Sequence, residues 1–203
     1  MAFAVEGLLQ DDSQAGMTLV HGDAKAANMA LAPAQARSSL SSLSASTSGT
    51  PASSEWDKLA SQWSVSMFDF QYVGCGLGTQ DLIKFFATAL PENMLLEDAG
   101  EGERKLLEWY HGRLLRYLQA KDSDTLDRQA YDFNMFHRQW ELSLISWLRF
   151  TQGWGRWGNV DWLEKRGREI LDRPGWVQGV LRAWEQMGSP GQDTLRELGL
   201  SDR

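Results

Sequence analysis

The chain has 203 residues, 42% of them hydrophobic and 23% charged, enough for one domain with a sizeable core. Its net charge is −7 and its basic residues are scattered, which argues against a nucleic-acid binder working through a basic face. No apolar run approaches the roughly 18 residues that cross a bilayer, and the lone Cys75 rules out an internal disulfide or a cysteine-built zinc site.

The N-terminal stretch from Met1 to Asp12 carries acids early and lacks a basic region, so it makes a poor signal peptide. A reducing, cytoplasmic setting is the expectation. The first informative segment is "LVHGDAKAANM", from Leu19 to Met29. Leu19 and Val20 suit the end of a short strand. A polar loop follows, with Asp23 and Asn28 five positions apart and Lys25 between them. A polar turn would explain the local structure. The metal and phosphate end of a phosphoryl-transfer site would explain the residue types as well.

Residues 32–64 are rich in alanine and serine, with little to bury, and read as a disordered surface insertion. The chain then divides into an opening segment at 1–31, this insertion, a folded remainder at 65–187 and a flexible tail at 188–203. "SVSMFDFQYV", Ser64 to Val73, suits a strand interrupted by Asp69. The glycines of "GCGLG", Gly74 to Gly78, predict a turn rather than a phosphate cradle, with Thr79 as the N-cap of the next helix. That helix keeps Leu82, Phe85, Phe86 and Leu90 on one side until Pro91. Further amphipathic helices are expected over Glu103–Gln119, Tyr131–Phe150, Val160–Leu171 and from Trp176 to Met187. Seven of the ten tryptophans fall between Trp140 and Trp184, most at helical spacing that suits a core. Trp154 and Trp157 differ, because "GWGRWGN" places them in a glycine-rich loop that could wall an acceptor or attract a cationic amine.

Transfer of the γ-phosphoryl of ATP needs a carboxylate to orient the acceptor hydroxyl, and Mg²⁺ held by hard oxygen ligands. Kinases place the orienting aspartate five residues before a metal-binding asparagine, and a second metal-binding aspartate later, in D-F-G. Asp23 and Asn28 match the first pair; Asp69 in "FDFQ" matches the second, with Gln71 in place of the glycine.

"HGDAKAAN" followed by "FDFQYVGCGLGTQDL" resembles the C-terminal lobe of the aminoglycoside phosphotransferase and choline-kinase-like superfamily of small-molecule kinases. The two motifs carry the resemblance; the helical remainder shares only general character. It implies an α+β, mostly α fold: a protein-kinase-like C-terminal lobe, helical, with a small β-hairpin bearing the motifs. It also implies that Asp23 is the catalytic base, that Asn28 and Asp69 hold Mg²⁺, and that Lys25 contacts the transferred phosphate of ATP. The acceptor would be a hydroxyl of a small molecule, with neither nucleic acid nor membrane as partner. By the same resemblance His21 fixes the loop, Gln71 backs the metal shell, and Asp81 caps its helix and braces the catalytic loop. Lys25 as an ordinary exposed lysine and Asp81 as a plain dipole-stabilising acid are the bland alternatives. Cys75 has no partner motif, and His111 and His137 read as structural.

Two features depart from the family. Forty residues separate Asn28 from Asp69 where the family has a short hairpin, an excess that loop closure tolerates. Only 20 residues precede His21, too few for a nucleotide-binding N-terminal lobe. The expectation is a C-terminal lobe with the N-terminal lobe missing, to be supplied by a longer gene product; a catalytically inactive remnant acting as a binding module is the alternative. A protein kinase is disfavoured, because about ten residues separate "DFQ" from the next helix and leave no room for an activation segment. If the resemblance holds, Asp23, Asn28 and Asp69 must converge on one face.

Overall fold

Helical spacing of apolar residues puts most of the chain into helices that bury one shared core, and the short β-prone segments pair beside it. The computed structural model describes residues 1–11, 13–34, 61–120 and 131–187. In chain order the elements are α1 (Ala2–Leu9), β1 (Met17–Val20), a 3-10 turn (Ala26–Asn28), β2 (Met29–Pro33), β3 (Trp63–Met67), β4 (Gly74–Leu77), α2 (Gly78–Thr88), α3 (Glu92–Ala120), α4 (Phe133–Trp154), α5 (Val160–Leu171) and α6 (Trp176–Gln186). The described chain is mostly helical with two small antiparallel sheets.

α4 is the central helix. Asp132 caps it, its carboxylate accepting from Met135 N at 2.8 Å, and it packs against α1, α2, α3 and α5. Its Phe136, Trp140 and Leu144 are buried with Ala4, Val5 and Leu9 of α1, Ile83 and Phe86 of α2, and Trp162, Leu163 and Ile170 of α5. Each large apolar side chain taken from water contributes about 1.5–3 kcal/mol before entropy is counted. Phe86 meets Trp140 edge-on, with ring centroids 4.9 Å apart.

A charge sits inside this core. Glu103 of α3 is buried and accepts from the indole N–H of Trp140 at 2.9 Å and of Trp162 at 3.3 Å. Arg166 of α5 closes the cluster, its Nε 2.6 Å from Glu103. The tryptophans therefore carry both apolar bulk and the donors that make a buried carboxylate tolerable.

The two sheets frame the motifs. β1 pairs with β4, Val20 opposite Gly74, and β2 pairs with β3, Met29 opposite Met67. Several expectations need correction here. The "GCGLG" glycines are not a turn: Gly74–Leu77 is a strand, because pairing with β1 satisfies its backbone. Thr79 is not the N-cap either; it is buried with its hydroxyl 2.9 Å from Ser143. The side chain of Gln80 instead accepts from Leu77 N at 2.9 Å. Gly76 makes that reach-back feasible, since a Cβ there would overlap Gln80 Oε1. α1 was not expected at all. α3 begins at Glu92 rather than Glu103, because burial of Leu95 outweighs the helix penalty of Gly100 and Gly102, about 1 kcal/mol each. The β strands also extend into the expected insertion at Ala32, Pro33, Trp63 and Ser64. Ala34 and Gln62 continue the pairing, Ala34 N donating to Gln62 O at 2.8 Å, while residues 35–60 of that insertion and the tail at 188–203 lie outside the described residues.

Glu103→Ala leaves two indole N–H groups and Arg166 without their acceptor. It is expected to cost about 2–3 kcal/mol of folding stability in urea unfolding. A loss below about 0.5 kcal/mol would show that the cluster is not held by Glu103.

Candidate active site

β1 delivers the polar loop to the surface of the helical core, and a single carboxylate fixes where it lands. Asp81, in the first turn of α2, accepts from His21 N at 2.6 Å and from Gly22 N at 2.8 Å. Two backbone donors thus share one side chain some 60 residues away in sequence. The His21 ring ties the loop to the second motif. Its Nδ1 accepts from Asp23 N at 3.2 Å, which leaves Nε2 to carry the proton and donate to Phe68 O at 2.9 Å. Both bracing roles expected of His21 and Asp81 are present. Gly22 lies in the left-handed region at φ 76°, and a Cβ there would overlap the main-chain oxygen of Tyr72.

Asp23 and Asn28 interlock. The 3-10 turn is closed by Asn28 N to Lys25 O at 2.9 Å. Both protons of the Asn28 amide nitrogen then point at Asp23, with Nδ2 3.0 Å from its main-chain oxygen and 2.9 Å from Oδ2. The asparagine carbonyl Oδ1 accepts no hydrogen bond among the described residues. Both residues are buried, Asp23 at 4% exposure and Asn28 at 5%.

Asp69 lies in the loop between β3 and β4; in place of the single expected hairpin, the motifs sit at the ends of two small sheets, β1–β4 and β2–β3. Phe68 N donates to Asn28 O at 3.1 Å, so Asp69 follows directly on a residue hydrogen-bonded to the first motif. Asp69 has φ 63°, the only positive φ at a non-glycine among the described residues. Aspartate tolerates this conformation better than most side chains, and the strain is of the kind that gathers at functional sites. Gln71 Nε2 sits 3.5 Å from Asp69 Oδ2, a weak contact beside the carboxylate rather than in place of it. Lys25 is 2.8 Å from Asp23 Oδ2, and its ammonium is held above its ordinary range by that hydrogen bond, with the charges of Asp23 and Asp69 adding to it.

One participant was missed in the sequence. Lys84, one turn after Asp81 on α2, forms an ion pair with Asp23 Oδ1 and donates to Gly22 O at 3.3 Å. Asp81 and Lys84 are a polar i,i+3 pair on a helix otherwise rich in buried apolar residues, and that pairing was the available signal. The Asp23 carboxylate therefore lies between two lysines. Burial pushes its pKa up, but hydrogen bonds from Lys25 and Lys84, the charge of Lys84 and the Asn28 amide outweigh that and bring it to about 2.

The remaining candidates do not join this cluster. His111 is buried among Tyr131, Phe133 and Phe136 and its ring pairs with Tyr131 O at 3.1 Å. His137 lies 3.6 Å from Glu141 on α4. Cys75 is exposed on β4. Among the described residues no three His, Cys, Asp or Glu side chains gather as a metal cluster; the donor set here is one amide oxygen and one exposed carboxylate, hard oxygens of the type Mg²⁺ takes. No helix among the described residues is long and apolar enough to cross a membrane. No protein-family model, curated protein or solved structure matches the chain.

The lysine clamp has a titration signature. The folded-state pKa of Asp23 lies below its ordinary 3.8, so the clamp stabilises the fold above about pH 4 and the benefit is lost as pH falls toward 2. Lys84→Met leaves the burial and removes one counter-charge. The Asp23 carboxyl is expected to titrate higher, followed by carboxylate ¹³C NMR, and acid unfolding should begin at higher pH. An unchanged Asp23 titration would show that Lys84 does not hold it.

Proposed function

We propose that this chain supplies the metal and phosphate end of a small-molecule O-phosphotransferase that uses ATP and Mg²⁺. The observation that carries the proposal is the interlock of Asp23 with Asn28, together with the hydrogen bond to Asn28 O from Phe68 N, the residue before Asp69. The two motifs lie apart in sequence, and a pair of unrelated polar turns has no need to be stitched together in this way.

In this proposal Asn28 Oδ1 and the Asp69 carboxylate would hold Mg²⁺, which when bound offsets the charge of the ATP phosphates. Lys25, half-buried next to Asp23, contacts the transferred phosphate. Asp23 orients the acceptor hydroxyl. A pKa near 2 does not oppose that role, because phosphoryl transfer passes through a loose transition state in which positioning matters more than early proton removal. The fold that goes with this role is a kinase-like C-terminal lobe, the part that carries the catalytic and metal-holding residues. Leu31, Val65, Phe68, Phe70 and Tyr72, all exposed on or beside the motif-bearing strands, form the sort of apolar surface that another chain segment or partner covers.

One observation favours a second reading. Both carboxylate oxygens of Asp23 already hold ammonium groups, as expected of a binding module that no longer turns over. Substitutions separate the two. Asp69→Ala is expected to weaken MgATP binding at least tenfold in calorimetry, because it removes the anionic metal ligand. Asp23→Ala should leave that affinity within about threefold and abolish transfer, since it acts on the acceptor. Equal effects on nucleotide affinity would contradict the roles given to the two aspartates.

A further inference from the structure

Beside Asp23, on the side of α2 and α4, lies a cavity of about 300 Å³ bordered by Gly22, Tyr72, Lys84, Ser146, Trp147 and Phe150. Its far wall is aromatic. Trp147 stacks on Phe150 with centroids 5.1 Å apart, Phe150 stacks on Trp154 at 5.9 Å, and Trp157 stands edge-on to both Trp147 and Phe150 at 6.0 Å. The platform opens to solvent, with Trp154 79% exposed. Such rings offer flat apolar area and, in isolation, an attractive face for a cation.

The cationic place over Trp147 is already taken. The Lys84 ammonium sits 5.1 Å from the Trp147 ring centroid while pairing with Asp23 Oδ1. The carboxylates around the cavity are engaged as well. Asp81 holds His21 N and Gly22 N, Asp23 holds two lysines, and Glu6 accepts from Ser146 Oγ at 2.6 Å and pairs with Arg149 at 2.7 Å. An incoming ammonium would meet the like charge of Lys84, and each of these three carboxylates already holds hydrogen-bond or ion-pair partners. One donor, in contrast, is spare. Trp147 Nε1 is buried with no hydrogen-bond partner among the described residues, and an N–H can be satisfied by an oxygen but not by an ammonium.

We propose that this cavity is the acceptor subsite and that Lys84 and Trp147 select an uncharged hydroxyl compound, its apolar body against the Trp147–Phe150 platform and its hydroxyl beside the Lys84–Asp23 pair. It rests on Asp23 as the group that meets the acceptor. Lys84 is the specificity-determining residue, acting by repulsion of cationic alcohols as much as by attraction of neutral ones. Lys84 thereby fills the cation–π face of Trp147 from within the chain; of the two tryptophans expected to attract a cationic amine, Trp154 is the last residue of α4 and Trp157 lies in the loop that follows.

Choline and 3,3-dimethylbutan-1-ol share shape and hydroxyl and differ in one charge, so they isolate the proposed selection. Titrated separately into the protein without nucleotide, and followed through the indole N–H signals of Trp147 and Trp154 by NMR, the neutral alcohol is expected to bind about tenfold more tightly. Lys84→Gln should bring the two within about twofold. Choline binding as well as or better than the neutral alcohol would overturn the proposal, as would the absence of any indole shift with either. The wild-type comparison stands by itself if the variant does not fold. MgATP calorimetry tests the phosphotransferase role independently: intact nucleotide binding with no alcohol selectivity sinks only the subsite, and selectivity without nucleotide binding sinks only the transfer.

Discussion

The site is held by one carboxylate that accepts two backbone N–H groups. Asp81 occupies the first turn of α2, where the helix dipole favours a negative charge, and it takes His21 N and Gly22 N together. Without that acceptor the N–H groups of buried His21 and of exposed Gly22, at the end of β1, would be left with no carboxylate to bind. Everything downstream follows from the anchor. His21 is then placed to reach Phe68 O, Gly22 adopts its left-handed turn beneath Tyr72, and Asp23 faces Asn28 and the two lysines. Because α2 is itself packed on the central α4, the loop inherits the rigidity of the helical core.

The electrostatics of the loop are unusual for a surface turn. A buried carboxylate would by itself be pushed toward its neutral form, yet Asp23 is kept ionised by two lysines and an amide. Such an arrangement costs desolvation on both sides and has no obvious structural purpose, since a polar turn needs neither lysine. It does make sense where a carboxylate must stay negative and fixed in orientation. Strain at Asp69 belongs to the same pattern, because a non-glycine left-handed residue persists only where surroundings hold it.

Much of this was legible in the sequence, for identifiable reasons. The helices α2, α4, α5 and α6 follow from apolar spacing, and the interlocked pair Asp23 and Asn28 follows from residue type and separation. The parts that were not legible depend on contacts distant in sequence. Gly74–Leu77 reads as a turn because its two glycines, with Gly78 after them, outweigh local β propensity, and only the pairing with β1 makes it a strand. α1 is short and apolar on several faces, so no single stripe announces it, yet Ala4, Val5, Leu8 and Leu9 are all buried against its neighbours. Glu103 reads as an ordinary helix-surface acid; its partners Trp140, Trp162 and Arg166 are invisible from its own neighbourhood. Lys84 was passed over for the same reason, and it proves to be the residue that shapes both the charge of Asp23 and the cavity beside it.

The claim on which the account turns is that Asn28 and Asp69 together receive a divalent cation carried by nucleotide phosphates. Mn²⁺ substitutes for Mg²⁺ in such oxygen sites, and its unpaired electrons broaden NMR signals of nearby nuclei. With ¹⁵N-labelled protein and MnATP, the account predicts selective broadening of the Asn28 side-chain amide and of the backbone amides at Lys25 and Asp69, abolished by Asp69→Ala. Broadening spread evenly over the acidic surface, or centred on a site away from Asn28 and Asp69, would contradict it.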